Sequence, residues 1–297
     1  IFAQFTDGAI TVSGFTIEGG EQITGGFGSA EVDELVLEEC LIRGYSRHSR
    51  VTQVRKATVR DCVFEGMYTA HPENVGGGAL LISLIPNTPG VQVIGCTFRN
   101  NEITTGDPFG GWGGGGAIGA EGPAQGSEIV IRDCLFDGNR GRSAGAIFAI
   151  GNVAIYHNTF VNNVSQDAAI VTFDTPLHSH GVFHNIFAYN TWFGLYSIGY
   201  GRCGCNAYWE NANGTSGGNN CRIGGDSRDF VDVDPHLCDP AGGDYRLMES
   251  SPLAGPFQDP DHLGCEGPIG AFGPGCQATP VLPTSWGAIK ARYGSVR

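Results

Sequence analysis

Apolar residues in this chain recur in short β-branched and aromatic clusters that do not follow the 3.6-residue spacing of an amphipathic helix. VSGFTIEGG at 12–20, LEECLIRGY at 37–45, VRDCVFEGM at 59–67 and VIGCTFRNN at 93–101 share one pattern, continued by IRDCLFDGN at 131–139, IYHNTFVNN at 155–163, VFHNIFAYN at 182–190 and CGCNAYWEN at 203–211. In seven of the eight copies an apolar residue is followed three positions later by Cys or Asn, where the first has Phe15, then two further on by Phe, Ile or Tyr, and then usually by Gly or Asn. The copies align Ile17, Ile42, Phe64, Phe98, Phe136, Phe160, Phe187 and Tyr208 in one column, at spacings of 25, 22, 34, 38, 24, 27 and 21 residues. Such spacings predict single coils of a β-solenoid, two of them carrying insertions. A second column, Leu80, Ile118, Ile147, Ile170 and Leu195, comes from GGALLI, GGAIGA, AGAIFA, DAAIVT and FGLYSI and predicts another wall of the same stack. Turns rich in Gly, Asn and Asp, which tolerate left-handed backbone angles, separate the columns.

These repeats, over roughly residues 5–211, resemble the right-handed parallel β-helix repeats of the pectin-lyase-like superfamily. The resemblance implies an all-β fold, a right-handed parallel β-helix. It is specific for fold and weak for function. FVDVDPHLCDPAGGDYRLMESSPLAG followed by GPIGAFGPGC is similar to a closing segment common in bacterial secreted β-helix proteins, and TPVLPTSWGAIKARY at 279–293 resembles a tail found after such segments. LPTSW lacks the Gly after Thr of a sortase signal. The expected organisation is 1–211 as coils, 212–276 as a Cys-containing closing segment packed on the last coil, and 277–297 as a tail. In helices of this type asparagines stack at an inward turn, which implies an asparagine ladder through Cys40, Cys62, Cys96, Cys134, Asn158, Asn185 and Asn206. Coils about 4.8 Å apart would admit disulfides between those cysteines. Free thiols are the expectation, because parallel in-register side chains point alike.

Ten cysteines point to an oxidising, secreted or cell-surface setting. Cys203 and Cys205 form a C-x-C with no second such pair, so no metal site is expected from them. The six C-terminal cysteines allow 15 pairings. Cys205–Cys221 and Cys265–Cys276 are expected, each closing a glycine-rich loop and stabilising it by ~2–4 kcal/mol, with Cys203 and Cys238 left as a third pair. A net charge of −13, with Lys56 and Lys290 the only lysines, argues against nucleic acid as a partner. No apolar run of about 20 residues exists to span a membrane. The start at Ile1 fits a processed segment.

Candidate chemistry gathers in two insertions, 67–77 and 101–116, that should leave the same turn. They carry Tyr68, His71, Glu73, Asp107, Phe109 and Trp112, a candidate glycan-binding set in which an aromatic platform lies beside carboxylates. A plain glycine-rich surface loop explains the same residues. Asp174, His178 and His180, with Glu121 nearby, form a second group of acid–base type, although turn His and Asp commonly satisfy backbone groups. His157 and His184 read as an outward corner row. Lyases of the superfamily need a Lys or Arg base and its hydrolases a specific set of aspartates. Lys56 stands alone and the N-x-D, D-D, G-H-G and R-x-K set is missing, so no catalytic residue carries over. No cofactor is expected: the acidic turns with Asp226, Asp229, Asp232 and Asp234 offer oxygen ligands that could hold calcium, but a DP-containing turn is more often simply a turn. Asn163-Val-Ser and Asn213-Gly-Thr match the glycosylation acceptor pattern.

Two function classes follow: an extracellular structural protein stacking head to tail into a surface filament, or a carbohydrate-active lyase or hydrolase, with a glycan-binding module between them. Head-to-tail stacking would join Ile1, Phe2, Phe5 and Ile10 to Trp286, Ile289 and Tyr293. A cap supplied from an upstream stretch is the competing arrangement.

Overall fold

The computed structural model describes residues 2–4, 9–19, 28–30, 33–44, 49–52, 55–70, 76–84, 87, 89–104, 114–122, 127–173, 181–198, 202–218, 228–257, 264–265 and 267–276. They build a parallel β-solenoid with three walls. Sheet A has nine strands, from Phe2–Gln4 to Ser216–Gly218, sheet B has eight, from Ala9–Ser13 to Arg202–Gly204, and sheet C has nine, from Thr16–Glu18 to Phe230–Val231. Each strand pairs in parallel with its counterparts one coil before and after.

Backbone sterics fix the shape of each coil. Most sheet C strands are three residues long because a left-handed residue bounds them on either side. On the entry side stand Glu39, Asp61, Asp133, His157, His184 and Cys205, with φ between 53° and 57°. On the exit side stand Gly44, Gly66, Asn100, Gly138, Asn162, Tyr189 and Glu210. Asn, Asp, His and Gly tolerate this region best, and nine of these thirteen positions carry them.

The predicted columns form in the predicted register. Ile17 aligns with Ile42, then with Phe64, Phe98, Phe136, Phe160, Phe187 and Tyr208. From Phe64 to Tyr208 the rings stack face to face, with centroids 4.7 to 5.1 Å apart. The coil repeat sets this distance, so aromatic stacking and strand pairing reinforce each other. Leu80, Ile118, Ile147, Ile170 and Leu195 align as the second wall, and all are fully buried.

The coil stack runs past the expected boundary at residue 211. Ser216–Gly218 adds a strand to sheet A and Phe230–Val231 one to sheet C. The closing segment is also placed differently: it lies along the outer face of sheet C and is not confined to the last coil. Leu237, Tyr245, Leu247, Leu253 and Ile269 pack on Leu135, Val161, Ile186, Ala188 and Ala207. Backbone anchors hold it there, with Ala271 N donating to Thr159 Oγ1 at 3.0 Å and Gly270 N to the His184 carbonyl at 2.8 Å. A short antiparallel pair, Leu237–Asp239 with Asp244–Leu247, is the segment's own secondary structure, closed by a 3-10 turn at Pro240–Gly242 that Asp239 caps. It therefore depends on the coils for its core.

Candidate functional site

The two insertions leave the same corner, as their spacing predicts. Tyr68–Thr69 pairs with Glu102–Ile103, and the row continues through Arg140 to Val164. Tyr68 is 43% exposed, and its hydroxyl lies 3.1 Å from Thr104 Oγ1. His71, Glu73, Asp107, Phe109 and Trp112 lie outside the described residues. The glycines that follow are close-packed: a Cβ on Gly116 would stand 2.1 Å from the Gly145 carbonyl oxygen, and one on Gly115 2.1 Å from that of Ile118. Only glycine lets these backbones approach. Further along the same flank, Trp192 is 39% exposed and stands edge-on to Phe193. Asp174, His178 and His180 lie outside the described residues. Glu121 is exposed at the end of Ile118–Glu121.

The inward ladder carries four thiols and three amides. Asn158 Nδ2 donates to Asn185 Oδ1, and Asn185 Nδ2 to Asn206 Oδ1, both at 3.0 Å. Asp229 ends the row, accepting from the Asn206 backbone N–H at 2.8 Å. Cys40, Cys62, Cys96 and Cys134 are free and buried, as expected. Each thiol donates to carbonyls as the amides do: Cys134 Sγ reaches Arg132 O at 3.0 Å and Val93 O at 3.7 Å, the counterparts of Tyr156 O and Ile131 O for Asn158. Burial, followed by the bond to the Cys134 thiol, pushes Cys96 well above the usual thiol range. A bond with Cys62 and then burial do the same for Cys40.

A second ladder borders the exit corner and was missed in the sequence. Asn101, Asn139, Asn163, Asn190 and Asn211 chain their amides at 2.8 to 3.1 Å. Met67 begins the row, its backbone N–H donating to Asn101 Oδ1. The signal was the second residue of the pairs NN, GN, NN, YN and EN, which reads at first sight as more turn. This ladder removes one glycosylation candidate, since Asn163 is 1% exposed with its amide engaged. Asn213 is exposed in a turn.

Two disulfide expectations are corrected. Cys205 bonds Cys265 and not Cys221, and Cys276 bonds Cys238 and not Cys265. The suggested Cys203–Cys238 bridge falls with them. Cys203 is disulfide-bonded, and Cys221 lies outside the described residues. Short-loop reasoning failed because closure entropy grows slowly, by about 0.6 kcal/mol per doubling of length. Packing outweighs that: the closing segment returns along sheet C and buries Cys205 and Cys265 in one apolar cluster.

Elsewhere the candidate groups have local roles. Lys56 Nζ lies 2.6 Å from Glu34 Oε1 on the outer face of sheet B. His157 and His184 form the expected corner row, their rings stacked 4.8 Å apart. Asp234 Oδ1 accepts from His236 N within its own turn, Asp232 is exposed, and Asp226 lies outside the described residues. Among the described residues no group of three or more His, Cys, Asp or Glu is placed to hold a metal ion.

At one end of the stack, Ala9–Ser13 and Thr16–Glu18 are the last strands of sheets B and C. Ile10 is half-buried there and Phe2 belongs to the edge strand of sheet A. Phe15 takes the place in its coil that Cys40 takes in the next, its carbonyl accepting from Leu41 N, and it is 54% exposed. At the other end Val231, aligned with Tyr208, is 40% exposed. Ile1, Phe5, Trp286, Ile289 and Tyr293 lie outside the described residues. Comparison with protein-family models, curated proteins and solved structures finds no match to this chain, so the pectin-lyase-like resemblance rests on the coil pattern alone.

Proposed function

We propose that this chain is an extracellular structural and interaction protein, a stiff β-solenoid that self-associates through an end of its coil stack. The observation that carries the proposal is the edge that Ala9–Ser13 and Thr16–Glu18 form among the described residues, with Phe15 exposed between them. Soluble proteins usually blunt parallel edges with charge, proline or a bulge, because free N–H and C=O groups recruit another strand. AITVS carries none of these, and Glu18, paired with Arg43, is the charge on the adjoining strand. The disulfides support an oxidising location. Sedimentation velocity over a hundredfold concentration range tests the reading. A mass above that of one 31.3 kDa chain is expected, and a monomer throughout would reject it.

A second reading, glycan binding, is favoured by Tyr68 and Trp192, two exposed aromatics on one flank. Stacking on a pyranose would make each worth about 1 kcal/mol. Affinity electrophoresis in gels containing acidic or neutral polysaccharides, comparing the native chain with Tyr68→Ala and Trp192→Ala, tests it.

A further inference from the structure

We infer that Asn213 is a site of spontaneous covalent modification: its side-chain amide is lost as ammonia through attack by the backbone nitrogen of Gly214, which turns a neutral surface residue into an acid. Asn213 and Gly214 form the one Asn-Gly pair in the sequence. The pair matters because the attack closes a five-membered imide. Glycine, without a β-carbon, leaves the attacking nitrogen uncrowded and the backbone free to swing onto the side chain.

The fold separates this asparagine from those of the ladders. Asn206 is fully buried, its amide donating to Val182 O at 2.9 Å, and Asn211 donates to Phe187 O at 2.9 Å while its Oδ1 accepts from Asn190. A side chain held in this way cannot turn onto its own backbone, and alanine follows both. Two residues beyond Asn211 the surroundings are open. Ala212, Asn213 and Gly214 are all exposed, in a turn closed by Gly214 N donating to Asn211 O at 3.0 Å. Gly214 has φ 94°, and nothing lies within 4 Å of where a Cβ would stand. Opening that single exposed bond releases the nucleophile, and bonds at such turns open at little cost. Asp137–Gly138 could close the same ring with loss of water, but Gly138 N donates to Val161 O inside the stack and Asp137 is tied to Arg99 and Asn162.

The chemistry balances with water alone. Hydroxide takes the Gly214 amide proton, the nitrogen bonds to Asn213 Cγ, and the Cγ–Nδ2 bond breaks, Nδ2 leaving as ammonia with a proton from water. A second water then adds to one imide carbonyl and cleaves its bond to nitrogen. Cleavage at Cγ leaves aspartate, and cleavage at the main-chain carbonyl leaves isoaspartate, with the chain routed through the side chain. No electrons are transferred. The net charge of −13 becomes one unit more negative. Asn211 follows Asn190 and Ser216 follows Leu195 at the same 21-residue offset, so the new carboxylate falls one strand spacing from Trp192.

Peptide mapping of aged native protein tests the assignment. Samples held folded in mildly acidic and mildly alkaline buffer, then reduced and cleaved after Arg202 and Arg222, yield one peptide, 203–222, that carries Asn206, Asn211 and Asn213 together. Fragmentation mass spectrometry should find the mass gained when NH2 becomes OH at Asn213, partly as isoaspartate, with Asn206 and Asn211 intact. The rate should rise about tenfold per pH unit, as the deprotonated amide does. Asn213→Gln should remove the conversion and leave the thermal midpoint unchanged, because the longer side chain would have to close a six-membered ring. Equal loss from the glutamine would show direct hydrolysis and overturn the ring mechanism. The assignment is also overturned if Asn213 stays intact in the folded protein, if Asn206 or Asn211 converts as fast, or if a glycan already occupies Asn213.

Discussion

Phe136 lies between Phe98 and Phe160, with ring centroids 5.0 and 4.7 Å away, and is fully buried. Phe136→Ala should cost about 3–5 kcal/mol in urea unfolding, through the lost transfer energy and a cavity that parallel coils cannot close. The ladder makes an asymmetric prediction. Cys134→Asn should be neutral or stabilising, because Asn158 Oδ1 already receives the Cys134 N–H at 2.9 Å and a new amide would extend the row toward Cys96. The reverse change, Asn158→Cys, removes amide donors to Asn185, Ile131 and Tyr156 and should cost about 1–3 kcal/mol. The free thiols also give the protein an alkaline limit. Cys40, Cys62 and Cys96 have folded pKa values raised above their unfolded ones, so their contribution is intact below the unfolded pKa, about 8.5, and is lost as pH rises beyond it. Each such thiol should steepen the loss by about 1.4 kcal/mol per pH unit, visible as a falling thermal midpoint between pH 8 and 10. In native protein at pH 8 none of the four should take up iodoacetamide, and all four should do so in denaturant, as read by intact mass.

At the scale of elements, sheet C shows how one row changes character with its cover. Outward positions read Glu18, Arg43, Glu65, Arg99 and Asp137 where the wall is exposed, then Val161 and Ala188 where the closing segment lies on it. Arg99 and Asp137 mark the border, beside Tyr245, which burial and the Asp137 carboxylate hold above the usual tyrosine range. That switch was present in the sequence, but it carries meaning only once the rows are aligned and something is known to cover them. The columns from Ile17 to Tyr208 were legible because every coil restates them. Disulfide partners were not, because Cys265 meets Cys205 only through a return path encoded in scattered residues such as Leu253 and Ile269. The glycan candidates depended on long insertions, where no repeat constrains the reading and glycine answers to close backbone contact. Replacing Cys238 and Cys276 by Ser should destabilise by about 2–4 kcal/mol. Hydrogen exchange should localise the loss, with amides of 237–247 exposed first and those of 153–161 still protected; equal loss in both would show that the segment and coils unfold as one.

The whole molecule is a stack in which each coil rests only on its neighbours, apart from the flank that the closing segment straps. Nearest-neighbour stability of this kind predicts unfolding that begins where the strap is absent. Native-state exchange should therefore find the coils of Leu35 and Leu37 opening before those of Ile155 and Phe160, although all four side chains are fully buried. The inward ladder adds a consequence of a different kind. Its thiols occupy four successive coils and its amides the next three, so the row accepts either side chain from coil to coil. A coil entered and left at the same corner is a unit that can be duplicated without disturbing register above or below. A tandem copy of residues 134–157, inserted after 157, should thus fold as one additional rung, read as an unchanged circular dichroism spectrum per residue and a retained cooperative unfolding transition.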